Sequence, residues 1–305
     1  MPQNEQKNSV AAVVVTYNRL DLLKQCVKAL LGQTVPCDIL IVNNASTDGT
    51  EEWLTAQTNL LSRNTGSNLG GAGGFNYGIR WAAEAGYDDV WIMDDDTLPK
   101  PDALERLLEA DRFLKGDYGW LSSVALWIDG SECKMNRQKL KKSRSPYPQL
   151  IPAVQATFVS LFLPLERVYS FGLPIKDFFL WGDDIEFTRR IAVRGGKRSY
   201  VVQTSQVIHA MKNNNGSNIA TDKEERLSRY QYAFRNENYL YRKEGVGGFI
   251  YYTAKCLFNM LKTLILAEDH RFKRLSVILR AYFSGFSFEP QVERIETSTE
   301  KIGVK

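Results

Sequence analysis

Three consecutive aspartates, Asp94-Asp95-Asp96, follow the apolar run Val90-Trp91-Ile92-Met93, and Thr97-Leu98-Pro99 closes the segment. Adjacent carboxylates repel one another, and packing returns nothing for that repulsion. In an extended segment residues i and i+2 project to the same side, so Asp94 and Asp96 can offer oxygen donors to one hard divalent cation. An acidic turn after a strand is the plain alternative. A second acidic pair, Asp183-Asp184, stands in Phe178-Phe179-Leu180-Trp181-Gly182-Asp183-Asp184-Ile185-Glu186, next to aromatics. Helix capping would account for one of these two acids. His209, one of two histidines in the chain, follows directly on the apolar stretch Tyr200–Ile208 and is a candidate third ligand. Oxygen donors with one imidazole suit Mn²⁺ or Mg²⁺, and the imidazole favours Mn²⁺.

Such groups need elements that deliver them to one place. Val10–Thr16 is a continuous, largely β-branched apolar run, the pattern of a strand buried on both faces. After Tyr17-Asn18-Arg19, the residues Leu22, Leu23, Cys26, Val27, Leu30 and Leu31 recur at helical spacing. Asn18 and Asp21 resemble a capping box, and Gly32 ends the helix. Ile39–Val42 is a second buried strand ending in Asn43-Asn44, and a helix opens near Glu51. This alternation predicts an α/β fold with a mostly parallel, right-handed sheet, in which ligands gather at the C-terminal strand ends. Residues 64–78 hold six glycines. They predict either a flexible turn or a loop whose N–H groups approach a ligand, with a helix from about Phe75 to Ala85. The stretch carries no P-loop Gly-Lys-Ser/Thr and no clean dinucleotide fingerprint. Trp120–Ile128, Ala153–Leu163 and Tyr200–Ile208 read as further strands. A helix begins after Pro99-Lys100-Pro101-Asp102, and another runs from Ile185 to Gly195. Arg235-Asn236 and Tyr239 fall in a helix of unassigned register.

The 305-residue chain is 44% apolar and 24% charged, ordinary for a globular protein. A net charge of +4 without a concentrated patch argues against nucleic acid as a partner. Cys26, Cys37, Cys133 and Cys256 show no metal spacing and read as the reduced thiols of a cytoplasmic protein. Residues 1–9 lack the apolar core of a secretory signal. The apolar window 245–267 is interrupted by Gly247-Gly248, Lys255 and Lys262 and makes a poor membrane span. Residues 129–148, with Lys134, Arg137, Lys139, Lys141, Lys142 and Arg144, read as a solvated loop or as a flap attracting phosphate or lipid. Aromatic and basic residues alternate over 245–288, which suits helices at a membrane interface and also helix-on-helix packing. Ile295–Lys305 reads as a frayed tail.

Taken in order, Val13-Val-Val-Thr-Tyr-Asn-Arg19, Val42-Asn-Asn-Ala-Ser-Thr-Asp-Gly-Thr50, Asn68-Leu-Gly-Gly71, Met93-Asp-Asp-Asp-Thr97 and Trp181-Gly-Asp-Asp-Ile-Glu186 form a series. It resembles the family 2 inverting glycosyltransferases over about residues 10–240. Among them it is most like the bacterial galactofuranosyltransferases, with rhamnosyltransferases that use dTDP-rhamnose as the close competitor. The resemblance implies a GT-A fold, a Rossmann-like, mostly parallel sheet flanked by helices. It implies a catalytic domain over 1–240 and a C-terminal helical region over 241–305 that could contact a membrane. It also implies a nucleotide-diphosphate sugar donor, UDP-galactofuranose, and a glycan acceptor, lipid-linked, in surface polysaccharide assembly at the cytoplasmic face of the cell membrane.

Carried onto this chain, the resemblance puts donor binding at Thr16, Tyr17, Arg19, Asn44, Asn68, Gly70, Gly71, Asp94 and Asp95. Metal binding falls to Asp94, Asp96 and His209. Asp184 becomes the general base with Asp183 orienting it, and Trp181 an acceptor platform. Many members carry Asp-Asp where this chain has Asn43-Asn44, and an amide at that position could still meet a uracil edge. One base and in-line displacement imply inversion at the anomeric carbon. Three other classes remain. A nucleotidyltransferase would want cations near the first loop, where only Arg19 qualifies. A non-catalytic nucleotide-sugar-binding module would not need Asp184. A membrane scaffold would tolerate loss of Asp94 and Asp96.

Overall fold

A computed structural model describes residues 8–296 apart from 137, 142–144 and 146. Arg137, Lys142 and Arg144 of the basic stretch, and most of the expected tail, therefore lie outside the described residues. The strands are β1 (Val10–Thr16), β2 (Asp38–Asn43), β3 (Leu61–Asn64), β4 (Asp89–Asp94), β5 (Thr97–Pro99), β6 (Leu121–Leu126), β7 (Lys139–Leu140), β8 (Leu150–Gln155), β9 (Leu161–Pro164) and β10 (Ser199–His209). The helices are α1 (Leu20–Leu31), α2 (Thr50–Thr55), α3 (Gly70–Glu84), α4 (Ala103–Leu114), α5 (Leu165–Phe171), α6 (Asp183–Arg189), α7 (Leu227–Lys243), α8 (Val246–Leu266) and α9 (Arg271–Ser287).

The strands form one sheet in the order β3-β2-β1-β4-β9-β6-β10-β8-β7, with β5 paired to β10. Neighbours among β3, β2, β1 and β4 are parallel, as are β6 and β10, while β9 runs antiparallel between β4 and β6. The chain leaves β1 towards β2 and β3 and then returns to the other side at β4. The β1–β4 boundary is thus a topological switch point, where a crevice opens at the strand ends.

Burial on both faces explains why β1 is apolar at every position. Val10, Ala12 and Val14 enter one core with α1 and α4, while Ala11, Val13 and Val15 enter a second core with α3, α5 and α6. The expected strand–helix alternation and mostly parallel sheet are present.

The single strand expected over Ala153–Leu163 is two, β8 beside β10 and β9 between β4 and β6, because the chain turns at residues 156–160. Two further expectations change. The glycine-rich stretch is helix from Gly70 onwards, not loop up to Phe75. Glycine is a poor helix former, but here the sheet demands it. A Cβ on Gly74 would come 2.5 Å from Val15 Cγ1, and one on Gly78 would come 2.5 Å from Val13 Cγ1 and 2.9 Å from Val42 Cγ2. These glycines let α3 lie close on β1 and β2. Gly78→Ala should lower stability by about 1–2 kcal/mol despite alanine's better helix propensity, because the added methyl overpacks a filled core. Chemical denaturation measures this, and an unchanged midpoint would show that the helix can slide. The second change is at α1, which has no capping box. Asp48 Oδ2 accepts from Leu20 N at 2.9 Å, and Asn18, at φ 54°, uses its Oδ1 to accept from Thr47 N at 2.7 Å. A loop distant in sequence supplies the cap.

The C-terminal helices pack mainly on α7 through a separate apolar cluster that includes Tyr230, Phe234, Tyr252, Cys256 and Ile278. A boundary after residue 240 would fall inside α7, because the chain turns at Glu244-Gly245. Beyond α9 the chain returns to the sheet. Glu293 bonds Asn76, Arg80 and Lys176, and Ile295 packs against the α3-side core. The expected fraying at Ile295 is therefore replaced by a docked strap.

Candidate active site

The crevice is built from strand ends. β4 ends in Asp94, β1 ends in Thr16, and β10 ends in His209, which pairs with Thr97 of β5. Ala210 N donates to Asp96 O at 2.8 Å and ties the end of β10 to the acid turn. One ligand atom each from Asp94, Asp96 and His209 lies within 4.8 Å of the others. Strand pairing has closed a gap of more than a hundred residues between Asp96 and His209.

The electrostatics of this cluster call for a cation. Burial, and then the neighbouring Asp96, push Asp94 up to about 8. Burial raises Asp95 to about 6, against the opposing pull of Arg19. Burial also penalises Asp96, but its bonds with His209 and Arg19 outweigh that and hold it below the usual carboxylate range. His209 Nε2 meets Asp96 Oδ1 at 2.9 Å. Burial works against its charge, yet Asp96 and Cys133 bring His209 to about 10. Arg19 Nη1 donates to Asp96 Oδ2 at 2.7 Å and to Asp95 Oδ1 at 3.3 Å, so two protein cations balance the acids. Once His209 gives up its Nε2 proton, two carboxylates and one imidazole make a donor set that fits a divalent ion of the Mn²⁺ or Mg²⁺ kind.

Asn136, which the sequence did not mark, shapes this set. Its Oδ1 meets His209 Nδ1, its Nδ2 donates to Thr157 Oγ1, and Cys133 Sγ donates to its Oδ1 at 3.0 Å. An amide oxygen on Nδ1 fixes the proton there and turns Nε2 towards the acids. Asn136 lies in a short 3₁₀ turn within the basic stretch, so no periodicity announces it.

The second acidic pair opens α6, with Gly182 as its N-cap residue at φ 88°. Neither aspartate is the N-cap residue, but Asp184 Oδ1 accepts from Ile185 N of the first turn at 2.7 Å, so one of the two acids does serve the helix start. Burial, then Asp184, then the more distant Asp94 push Asp183 well above the carboxylate range, and burial raises Asp184 to about 6. Glu186, fully buried, anchors α6 through Arg190 Nη2 at 2.7 Å and through Arg194. Trp181 meets Tyr230 edge-on at 5.3 Å, with Arg226 beside its ring.

The remaining expected donor residues fare unequally. Thr16 is buried and donates to Asp95 Oδ2 at 2.8 Å, while Tyr17 is exposed. Asn44 does not offer its amide to a base. Its Nδ2 donates to Gly70 O at 3.0 Å and to Asn68 Oδ1 at 3.2 Å, and its Oδ1 accepts from Leu69 N at 2.9 Å and Thr65 Oγ1 at 3.2 Å. Both donors and both lone pairs are used to pin the turn into α3. Gly70, at φ 70°, has no room for a Cβ because the carbonyl of Phe179 lies against it. Gly71 has open space beside it.

Residues 11–124 match the family model Glycosyl transferase family 2. The chain is 26% identical over 260 residues to galactofuranosyltransferase GlfT1 of Mycolicibacterium smegmatis, covering 78% of this chain and 84% of that protein. It is 32% identical over 204 residues to GlfT1 of Mycobacterium tuberculosis, covering 62% and 66% respectively. The chain is a glycosyltransferase whose residues 11–124 form a family 2 domain.

Its fold is that of the GT-A glycosyltransferases. The structure of GalNAc-T7 with UDP, GalNAc and Mn²⁺ superposes with a TM-score of 0.58 at 12% identity, covering 78% of this glycosyltransferase and 51% of that chain. The matched family region ends at residue 124, so it includes β1, β2, β4 and the acid turn. Asp183, Asp184 and His209 of the glycosyltransferase lie beyond it.

Proposed function

We propose that this glycosyltransferase moves galactofuranose from UDP-galactofuranose to a hydroxyl of a lipid-linked glycan, with inversion, during assembly of a bacterial surface polysaccharide. What supports this reading is the meeting of Asp94, Asp96 and His209 at the sheet's switch point, a second acid pair opening α6, and relatives named galactofuranosyltransferase. A divalent ion held by Asp94, Asp96 and His209 would supply Lewis-acid neutralisation of the departing diphosphate.

The chain's own groups do the rest. Tyr17, Arg19, Asn68 and Gly71 would meet the donor, and the buried Thr16, Gly70 and Asp95 would hold the turns beneath it. Asp184 takes the acceptor hydroxyl's proton as the oxygen attacks, Asp183 orients it, and Trp181 offers an aromatic face to the acceptor sugar. A carboxylate raised to about 6 is matched to that work near neutral pH.

The lipid-linked acceptor and a place at the cytoplasmic face of the membrane draw support from α8 and α9. No described helix is long and apolar enough to cross a membrane. Yet Ile250, Leu257, Phe258, Leu261 and Ile265 make an exposed stripe along α8, and Phe272 and Phe283 are exposed on α9. Residues 246–287 hold six Lys/Arg against two acids, while the rest of the chain is balanced. An exposed apolar stripe on a segment with an excess of basic residues suits a helix pair lying in an anionic interface.

The test is release of nucleotide from UDP-galactofuranose, dTDP-rhamnose and other nucleotide sugars with Mn²⁺, using polyprenyl-linked acceptor in phosphatidylglycerol vesicles or a soluble glycan. Turnover of UDP-galactofuranose, greatest on vesicles, is expected. Turnover of dTDP-rhamnose alone would transfer the enzyme to the competing donor, and equal use of soluble acceptor would remove the membrane from the reading.

A further inference from the structure

The loop before the acid pair holds an improbable shape. Phe179 (φ 61°, ψ −57°) and Trp181 (φ 64°) are both left-handed without being glycine, and Gly182 follows at φ 88°. Phe179 has the dihedrals of the strained γ-turn, closed by Leu180 N donating to Phe178 O at 2.7 Å. Such a backbone persists only where its surroundings over-determine it.

Here the surroundings are specific. Asn236 of α7 is fully buried, and its Nδ2 donates to Phe178 O at 3.0 Å, Leu180 O at 3.2 Å and Trp181 O at 2.8 Å. The one carbonyl it omits, Phe179 O, accepts from Ala72 N of α3 at 3.2 Å. Four successive carbonyls are thus held, three of them sharing the two hydrogens of one amide. Arg235 decides which way that amide points. Its Nε and Nη2 donate to Asn236 Oδ1 at 3.0 and 2.9 Å, and Nη2 also donates to Asp177 O at 2.8 Å. The guanidinium in turn lies 3.8 Å over the Phe288 ring, just past α9. Gly182 packs against the Asn236 Cβ, where a Cβ of its own would come to 3.5 Å.

We propose that Asn236, oriented by Arg235, is a positioning residue that holds Trp181-Gly182 in the one backbone conformation that turns Asp183 and Asp184 into the crevice. The inference rests on Asp184 acting as general base. Asn236 touches no reacting atom, since its bonds go to the backbone of the loop. Removing it releases the strained turn while the β1–β4 crevice, on other elements, stays formed.

The test compares Asn236→Ala and the isosteric Asn236→Asp, which faces three carbonyls with an oxygen instead of a donor. Both should lose about 30-fold or more in kcat while donor KM and Mn²⁺-dependent UDP binding, read by calorimetry, stay within about twofold. The acidic limb of the rate profile should move from near 6 towards the ordinary carboxylate value as Asp184 regains water. Arg235→Met, which leaves Asn236 in place but unoriented, should show the same pattern at about 3- to 10-fold and covers the case in which the Asn236 variants fold poorly. Parent kcat in folded variants overturns the proposal. A proportional loss of UDP binding, kcat and melting temperature with an unmoved pH limb overturns it too, since a merely structural residue would do that. Activity retained in Asp184→Asn would instead remove the base itself.

Discussion

Asp184→Asn should cut transfer by about 10²- to 10⁴-fold, the range a positioned general base contributes, with UDP binding unchanged. The parent rate should fall with unit slope below about pH 6, because burial holds Asp184 near that value and only the carboxylate can accept the hydroxyl proton. The variant's residual rate should lack that limb. Stability gives an independent control. A carboxyl whose folded pKa is raised costs stability when ionised, and the cost is complete above about 6 and absent below the unfolded value. At pH 7.5 the asparagine variant should therefore melt no lower than the parent. A variant that melts well below the parent has lost more than a base. One that turns over at the parental rate would return the proton transfer to another group.

Asp94→Asn and Asp96→Asn should both abolish the response to Mn²⁺, yet they should differ without it. In the parent, Mn²⁺ at a hundred times its dissociation constant should add about 2.7 kcal/mol, on the order of 5 °C in melting temperature. Neither variant should gain this, and transfer should fall by about 10²- to 10³-fold in both as charge neutralisation at the diphosphate is lost. In the metal-free protein Asp94 is a buried carboxyl raised to about 8 by burial and by Asp96, so its ionised form is destabilising at pH 8.5 and its removal should raise the melting temperature. Asp96 is held below its usual range by His209 and Arg19, so its removal leaves two cations short of a partner and should lower the melting temperature. Thermal melts with and without Mn²⁺ separate these outcomes. A full Mn²⁺ shift in Asp94→Asn would move the ion elsewhere.

Truncation after residue 240, at first sight a clean way to isolate the C-terminal helices, is not one. It would cut α7 three residues before its end and remove Glu293, whose carboxylate ties Asn76 and Arg80 of α3 to Lys176. Substitutions on the exposed stripe of α8, such as Phe258→Glu, leave these ties in place and ask the membrane question directly.

The sequence by itself determined the sheet and the acids. Val10–Thr16 and Val90–Met93 bury both faces as inner strands of a sheet covered on both sides, and three carboxylates at a strand end have no packing reason to stand together. These are local patterns, so they read without coordinates, and the five ordered motifs led to the family. What the tertiary structure decided is where polar groups spend their hydrogen bonds. Asn44 looked free for a base and is saturated by the turn into α3. The glycines of 73–78 read as part of a flexible turn or a ligand loop, and instead they give α3 its close approach to β1 and β2. Asn136 carried no signal and Asn236 only a place in a helix of unassigned register, yet they orient His209 and the Trp181-Gly182 turn. A buried amide is assigned by the donors and acceptors that surround it in space, and those come from segments separated by tens of residues, which no spacing in the chain encodes.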